Sequence, residues 1–504
     1  MADERETEEH TGGNKWGSPI SEERQTELRA LFERQKEWVA QPDATRAESA
    51  FNGVALSGAD VFWLAEESGR NGTGWVPNLH LERANLGAAH LEGANLMGAQ
   101  VAESSFVGAR LEGASLVAAH LEGANLMGAR LARANLTSVH LEGATLERAR
   151  LEGAHLVGAH LEQANLELAH LERAWLLSAY LEGAWLNAVH LEGANLAGAH
   201  LEGTVLTRAH LKKATLDGAH LEGALLREVH LEGTSLRDVH LEGRTYDEAN
   251  PDDAAVLKRA NKRVGFEGRT FPARLSPADL RRAYFDRAAN LTFATLGNKD
   301  FGCVRVADVR WGEVNLAVVD WGDNPILLDE SATKERAARH KPARASREDR
   351  LNQFREATRA NRQLATVLRA QGLNDEADHF AYRAQLLQRS VLRLRRRWGA
   401  TFGSWLLDVV SGYGYKPMRS VITYVALILL FAALYLLNGQ FAAPHLRWDE
   451  ALVLSISSFH GRGFFTTGIS LGDTLARLAA GEAIVGLLLE ITFIATFTQR
   501  FFAR

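Results

Sequence analysis

The 504-residue sequence has one cysteine, Cys303. That excludes a disulfide framework within the chain and suits a reducing compartment. It has no basic excess either: 57 Lys and Arg against 62 Asp and Glu leave a net charge of −5, so no global nucleic-acid signature is present. The opening stretch MADERETEEHTGG is acidic and polar and lacks the basic and apolar regions of a secretory signal. There is no nucleophile motif, P-loop, dinucleotide fingerprint or metal cluster of useful spacing. The chain is therefore read as a non-enzyme, with no catalytic residue, no cofactor and no metal ligand, facing the cytosol over most of its length.

What is present is organised in blocks, enough for about three domains at ~100–200 residues each. Residues 1–20 form an acidic tail, and a helix is expected within 21–50, with Ser21 as N-cap and Glu22 and Glu23 in its first turn. From about residue 79 a period of five runs for more than 160 residues, as in LEGANLMGA and LEGAHLVGA. A large apolar residue recurs at Leu81, Leu86, Leu91, Leu96 and onward to Leu241 and Tyr246, with a small one two places before it. Neither a helix nor a strand has that period. A coil of square cross-section does, if five residues make one side and four sides make one turn. Its turns would stack ~4.8 Å apart through sheet-like hydrogen bonds.

These units resemble the pentapeptide-repeat family, A-(D/N)-L-x-x. The resemblance implies a right-handed quadrilateral parallel β-helix over 51–248, with an opening coil at Leu56–Leu64 and a loop at Glu66–Pro77. The register breaks at Pro251, and 249–290 reads as helical insertions, one of them SPADLRRAYFDRA beginning near Ser276; Phe266 and Phe271 suggest the period returning. The fives resume over 291–330 as a second pentapeptide segment or cap, at Leu291, Leu296, Phe301, Val306, Trp311, Leu316, Trp321 and Ile326. Residues 331–398 read as a charged linker and an α-helical hairpin, turning at Gly372 with Asn374 as the second helix's cap. The stretch 399–419 reads as an amphipathic helix at the membrane interface, flanked by Trp398 and Trp405.

In 420–504, Val421–Asn438 is uncharged over 18 residues, and Leu475–Phe497 is a second apolar stretch carrying Glu482 and Glu490. Arginines cluster before the first stretch, at Arg393 and Arg395 to Arg397, and Arg500 and Arg504 follow the second, which places both termini on the cytosolic side of an inner (plasma) membrane. Between the stretches lies ALVLSISSFHGRGFF. This end resembles the two-transmembrane, potassium-channel-like ion-channel family. The resemblance implies a C-terminal two-helix transmembrane pore domain with a pore helix and a filter loop at Ser458, Phe459, His460, Gly461, Arg462, Gly463, Phe464 and Phe465. It also implies an oligomer, by resemblance a tetramer, in a lipid bilayer and conducting inorganic ions. Gly463 and Phe464 match the family's filter, whereas Arg462 stands where bare carbonyls select potassium. Arg462 either faces the lumen or ties back to Asp473 or Glu482. Glu482, Gly486 and Glu490, spaced i, i+4 and i+8, would line the water-filled interior.

Outward on the repeats, histidines from His80 to His240 recur at multiples of ten, with glutamates two places after most of them. Two opposite walls therefore carry His ladders beside Glu ladders. The ladder is either the by-product of an expanded ten-residue unit or a pH-sensing wall, with His160, His200, His220 and His240 as its candidates and raised histidine pKa values expected. Metal binding is set aside because no closed tetrahedral set is evident. Some family members mimic DNA, but the membrane stretches argue against a nucleic-acid partner here; an unknown protein partner on the β-helix is allowed. Two readings follow: a channel subunit with a cytosolic sensory or scaffold domain, or a non-conducting membrane-anchored interaction scaffold.

Overall fold

A leucine at every fifth position can reach one common interior only if the chain turns a corner between each pair. In the computed structural model it does so. The structure describes residues 20–39, 49–69, 79–242, 244–247, 249–260, 274–275, 277–298, 302–321, 325–330, 346–439, 446–461 and 474–502, in two units, Met1–Ala332 and Thr333–Arg504.

In the first unit each side of the coil is a tight turn and a one-residue bridge, and the bridges run parallel between residues twenty apart, from His80 with Gln100 to His220 with His240. Each bridge takes bonds from both sides, as where Leu151 N donates to His170 O at 2.6 Å and His170 N donates to Ala149 O at 2.9 Å. The corner that follows is closed by Ala154 N donating to Leu151 O at 3.0 Å. Gly153, within that corner, has φ +66°, a left-handed conformation that glycine adopts without steric cost. The Leu and Ala rows fill the interior completely: Ala129, Leu131, Ala149, Leu151, Ala169 and Leu171 are all 0% exposed.

The N-terminal end of the coil is closed by atypical sequence. Helix α1 (Glu22–Val39) begins as expected, with Ser21 Oγ accepting from Arg24 N at 3.2 Å. It is fastened by Arg24 to Asp60 at 3.2 Å and by Gln35 Nε2 donating to Glu82 Oε2 at 2.8 Å. The opening coil is shorter than its leucines suggest: Ala55 bridges Asn85, but the chain then enters helix α2 (Gly58–Gly69). Where the unbroken run of repeats stops, β1 (Arg244–Thr245) pairs antiparallel with β2 (Arg274–Leu275), enclosing helix α3 (Pro251–Ala260), and the coil resumes after it.

The expected helix at SPADLRRAYFDRA is not formed. Asp279, Tyr284, Asn290 and Thr295 bridge Leu225, His230, Ser235 and His240, adding another turn to the coil. The steps are five, six and five residues, and Leu280, Phe285, Leu291 and Leu296 are buried in the interior. The physical reason lies in Ala278-Asp-Leu280, Ala283-Tyr-Phe285 and Ala289-Asn-Leu291, three repeat signatures whose extra residue mimics helical spacing. Asp279 anchors this turn, accepting from Arg227 Nε at 2.8 Å and Arg281 Nε at 2.9 Å. Burial pushes its carboxyl up, but these guanidinium groups prevail and hold it below the usual range. The second segment continues through Val306, Trp311, Leu316 and Trp321, with a short antiparallel pair, β3 (Gly297–Asn298) and β4 (Gly302–Cys303). Phe266, Phe271 and Phe301 lie outside the described residues.

The second unit is helical. Helices α4 (Arg347–Ala370) and α5 (Asn374–Leu394) form the expected hairpin, and α4 starts in a capping box between Ser346 and Asp349. Asn374 does not cap: it is already inside α5, and Leu373 holds the cap position without a side-chain bond. Helix α6 (Trp398–Ser411) leads into α7 (Pro417–Gly439), α8 (Trp448–Phe459) and α9 (Thr474–Phe502). Asp408 of α6 binds α5 and α7 together, accepting from Tyr382 Oη at 2.8 Å, Arg389 Nη1 at 2.9 Å and Arg419 Nη1 at 3.0 Å.

Because Leu151 is fully enclosed by neighbouring turns, Leu151→Ala leaves a cavity that the stacked backbone cannot collapse. A loss of about 2–5 kcal/mol is expected in denaturant unfolding; a loss below about 1 kcal/mol would contradict the filled interior.

Candidate functional site

Two regions gather polar groups in ways that packing alone does not require. The first is where α7, α8 and α9 meet. Ile428, Phe459 and Leu489 form its apolar centre. Glu482, Gly486 and Glu490 share one face of α9, and that face is turned onto α8 rather than left open as a polar stripe. Glu482 is 0% exposed, its Oε2 accepting from Tyr435 Oη at 2.6 Å and its Oε1 from Ser455 Oγ at 2.5 Å. Gly486 is where the backbones meet: a Cβ there would stand 2.0 Å from Phe459 O. Glu490 faces the end of α8, 3.5 Å from His460 Nε2. The i, i+4, i+8 spacing thus marks a seam between two helices, because a carboxylate and a glycine are what a close crossing with a hydroxyl-bearing helix accommodates.

The predicted filter loop is described only at its start. Ser458 and Phe459 are buried, and Phe459 meets Tyr424 edge-on with ring centres 4.8 Å apart. His460 Nδ1 is 2.8 Å from Ile456 O, a carbonyl that can only accept, so this nitrogen carries the proton. Its Nε2 lies 2.7 Å from Tyr424 Oη, and Gly461 turns the chain with φ +67°. Arg462, Gly463, Phe464 and Phe465 lie outside the described residues, as does Asp473. Sequence reasoning missed Tyr424, Tyr435 and Ser455, which hold this junction. Hydroxyls inside apolar stretches were the available signal. Among the described residues one helix has the length and composition of a membrane span, Met418–Asn438, with mean hydropathy 2.5.

The second region is the paired walls of the coil. On one wall His120 stacks on His140 at 4.5 Å, His140 on His160 at 4.8 Å, His200 on His220 at 5.1 Å and His220 on His240 at 4.8 Å, while Tyr180 fills the rung between His160 and His200. Each imidazole leans on the glutamate of its own unit, as His160 on Glu162 at 3.3 Å and His240 on Glu242 at 3.2 Å. The glutamates of this wall sink into the coil from Glu142 to Glu222, whereas those of the opposite wall, such as Glu172 and Glu192, stay partly exposed. The expected rise in histidine pKa holds at His240, where the Glu242 hydrogen bond outweighs burial. His210 goes the other way: burial and then the neighbouring His190 depress it. Glu202 stays below the usual carboxylate range: burial pushes it up, but the His200 hydrogen bond wins.

The family model described as Pentapeptide repeats matches eight copies between residues 80 and 243. A solved structure of HetL, a pentapeptide repeat protein involved in heterocyst differentiation regulation from the cyanobacterium Nostoc, is 31% identical over 37% of this chain and 89% of its own, with a TM-score of 0.23. Residues 80–243 of this chain belong to the pentapeptide-repeat family. Other similar structures are a pentapeptide repeat protein from the Arabidopsis thaliana thylakoid lumen (24% identity, 26% of this chain, 86% of that one, TM-score 0.14) and full-length QnrB1, a plasmid-mediated fluoroquinolone resistance protein (16%, 52%, 97%, TM-score 0.16). Comparison with curated protein sequences returned no match. The pentapeptide-repeat coil is accordingly a right-handed quadrilateral β-helix, a scaffold or interaction domain, and the family match lies wholly within the first unit.

The two shifted histidines give opposite pH signatures. The raised pKa of His240 adds stability that is complete below its unfolded value and disappears as pH rises through the folded one; the depressed pKa of His210 adds stability above its unfolded value that is lost as pH falls. In thermal melts His240→Gln should therefore lose most in mildly acid buffer and His210→Gln most in mildly alkaline buffer. Equal effects at both pH values would contradict the assignment. At the helix seam, Gly486→Ala must push α8 off α9, and a loss of roughly 1–3 kcal/mol or more is expected; an unchanged melting temperature would show that the backbones do not touch.

Proposed function

We propose that this pentapeptide-repeat protein is a membrane ion-channel subunit, its C-terminal unit a pore module assembled from several copies and its β-helix a cytosolic sensory or scaffold domain. The observation that carries the reading is the seating of α8. A twelve-residue helix lies between two long apolar helices, its C-terminus in backbone contact with Gly486 of α9 and the histidine that follows it, His460, bonded to Tyr424 of α7. A plain loop between two anchors needs no such seat. Non-helical backbone after a short helix at membrane depth is tolerated where it is buried in protein or lines water. The apolar outer residues of α7 and α9, among them Ile422, Leu429, Leu437, Ile484, Leu488 and Ile494, are exposed in the single chain, as lipid or further copies would require.

In this reading α7 and α9 are the two spans, the protein sits in an inner (plasma) membrane with both termini cytosolic, and the assembly is a homo-tetramer by resemblance. In this reading the pathway is not of potassium type: by the sequence resemblance Arg462 takes the place of the filter's valine, and a ring of guanidinium charges there repels cations. Both oxygens of Glu482 already accept hydroxyls; Arg462 itself lies outside the described residues. The second reading, a non-conducting anchored scaffold, draws on the same seam: with Glu482 buried, α9 offers an apolar outer face in place of a polar stripe.

Purified full-length protein in planar bilayers separates the readings. A channel gives unitary currents whose reversal potential does not follow the potassium gradient, and Gly486→Leu abolishes them. Absence of current from a protein that is a strict monomer in detergent would leave the scaffold, and clear potassium selectivity would overturn the argument from Arg462.

A further inference from the structure

Near its C-terminal end the buried His/Glu wall contains three ligating atoms that no hydrogen bond occupies. Glu202 Oε2, Glu222 Oε2 and His220 Nδ1 are each shielded from solvent without a hydrogen-bond partner, and the two glutamates are 0% and 2% exposed. Ligating atoms of these three residues lie within 4.8 Å of one another. Anionic oxygens are costly to bury without a donor or a cation, and among the described residues nothing supplies a donor to either Oε2. We propose that Glu202, His220 and Glu222 bind a first-row divalent cation of the zinc type, with water at the fourth position.

The donor set decides the chemistry. Two carboxylates and an imidazole form an open, three-ligand tetrahedral site, whereas calcium requires six or more oxygens. The order of stability for such a mixed N/O set favours zinc over manganese or iron(II). The scaffold is suited to hold it: the bridge between His200 and His220 fixes adjacent turns, so only side-chain rotation is needed to close the donors onto an ion. The surroundings orient the ligands. Tyr246 Oη donates to Glu202 Oε1 at 3.2 Å, leaving Oε2 for the site. Among the described residues a nearby cation, Arg244, is 3.7 Å from Glu222 Oε1, but its other terminal nitrogen is held by Asp253 at 2.7 Å, which offsets its charge. The sequence spacing hid this set because its members come from successive turns, at i, i+18 and i+20.

The test uses untagged full-length protein in detergent, stripped with a chelator and titrated with zinc alone against a competing chromophoric chelator. One tight zinc per chain is expected, weakened at least tenfold by His220→Gln and by Glu222→Gln and unchanged by His90→Gln on the opposite wall. Cobalt in place of zinc should give a tetrahedral visible absorption that His220→Gln removes, while far-ultraviolet circular dichroism of the metal-free variants shows whether the coil is intact. If a variant fails to fold, the wild-type cobalt spectrum decides alone. No saturable binding, no tetrahedral cobalt band, or several weak ions unaffected by the two substitutions would overturn the proposal.

Discussion

The structure of the first unit depends on one packing constraint: every fifth side chain must enter an interior just wide enough for a Leu row and an Ala row. Once that is met, residues twenty apart are fixed in stacking contact by a parallel bridge, and any pattern written on the outward positions becomes a continuous wall. A ten-residue motif bearing one histidine and one glutamate then produces two opposite ladders. The walls are not equivalent, since one sinks its carboxylates into the coil and the other leaves them partly exposed. Stacked imidazoles at 4.5–5.2 Å and buried glutamates are consequences of the backbone period, and their chemistry is set by the neighbours of each rung. His240, with a glutamate hydrogen bond, and His210, between two other histidines, therefore respond to protons in opposite directions.

The same constraint explains how much of the fold was legible. The Leu and Ala rows announce the coil directly, and its bridges fall where the period requires. The misreading at Ser276 came from a single extra residue: three A-x-L-like triplets are present, but a six-residue step between Phe285 and Leu291 let the charged stretch pass for a helix. At Leu56 the reverse happened. One bridge forms, and the chain then enters α2, whose first residue, Gly58, lies against the backbone of His90, where a Cβ would stand 1.9 Å from its carbonyl oxygen.

In the second unit the helices could be read from apolar spacing, but the roles of the polar residues could not. A carboxylate and a glycine on one face of an apolar helix are equally consistent with a wet pathway and with a tight crossing. Only the positions of Tyr435, Ser455 and Phe459 select the crossing. Likewise Asp408, unremarkable in sequence, becomes the point at which α5, α6 and α7 are tied. Its partner Tyr382 has its hydroxyl pKa raised, first by burial and then by that carboxylate. Such junctions join residues 11 to 26 positions apart, beyond the reach of any periodicity.

In the proposed channel α8 is re-entrant, entering and leaving on one side of a membrane crossed by α7 and α9. The chain offers a clean background for testing it, since Cys303 is buried and its thiol is pushed up to about 12, by burial first. Single cysteines at Arg447 and at Thr474, probed in intact cells with a membrane-impermeant thiol reagent, address the two flanks of α8. For the proposed channel both should label from outside, with a third cysteine at Arg396 labelled only after permeabilisation. Labelling at Thr474 only after permeabilisation, or at none of the three before it, would contradict the re-entrant arrangement.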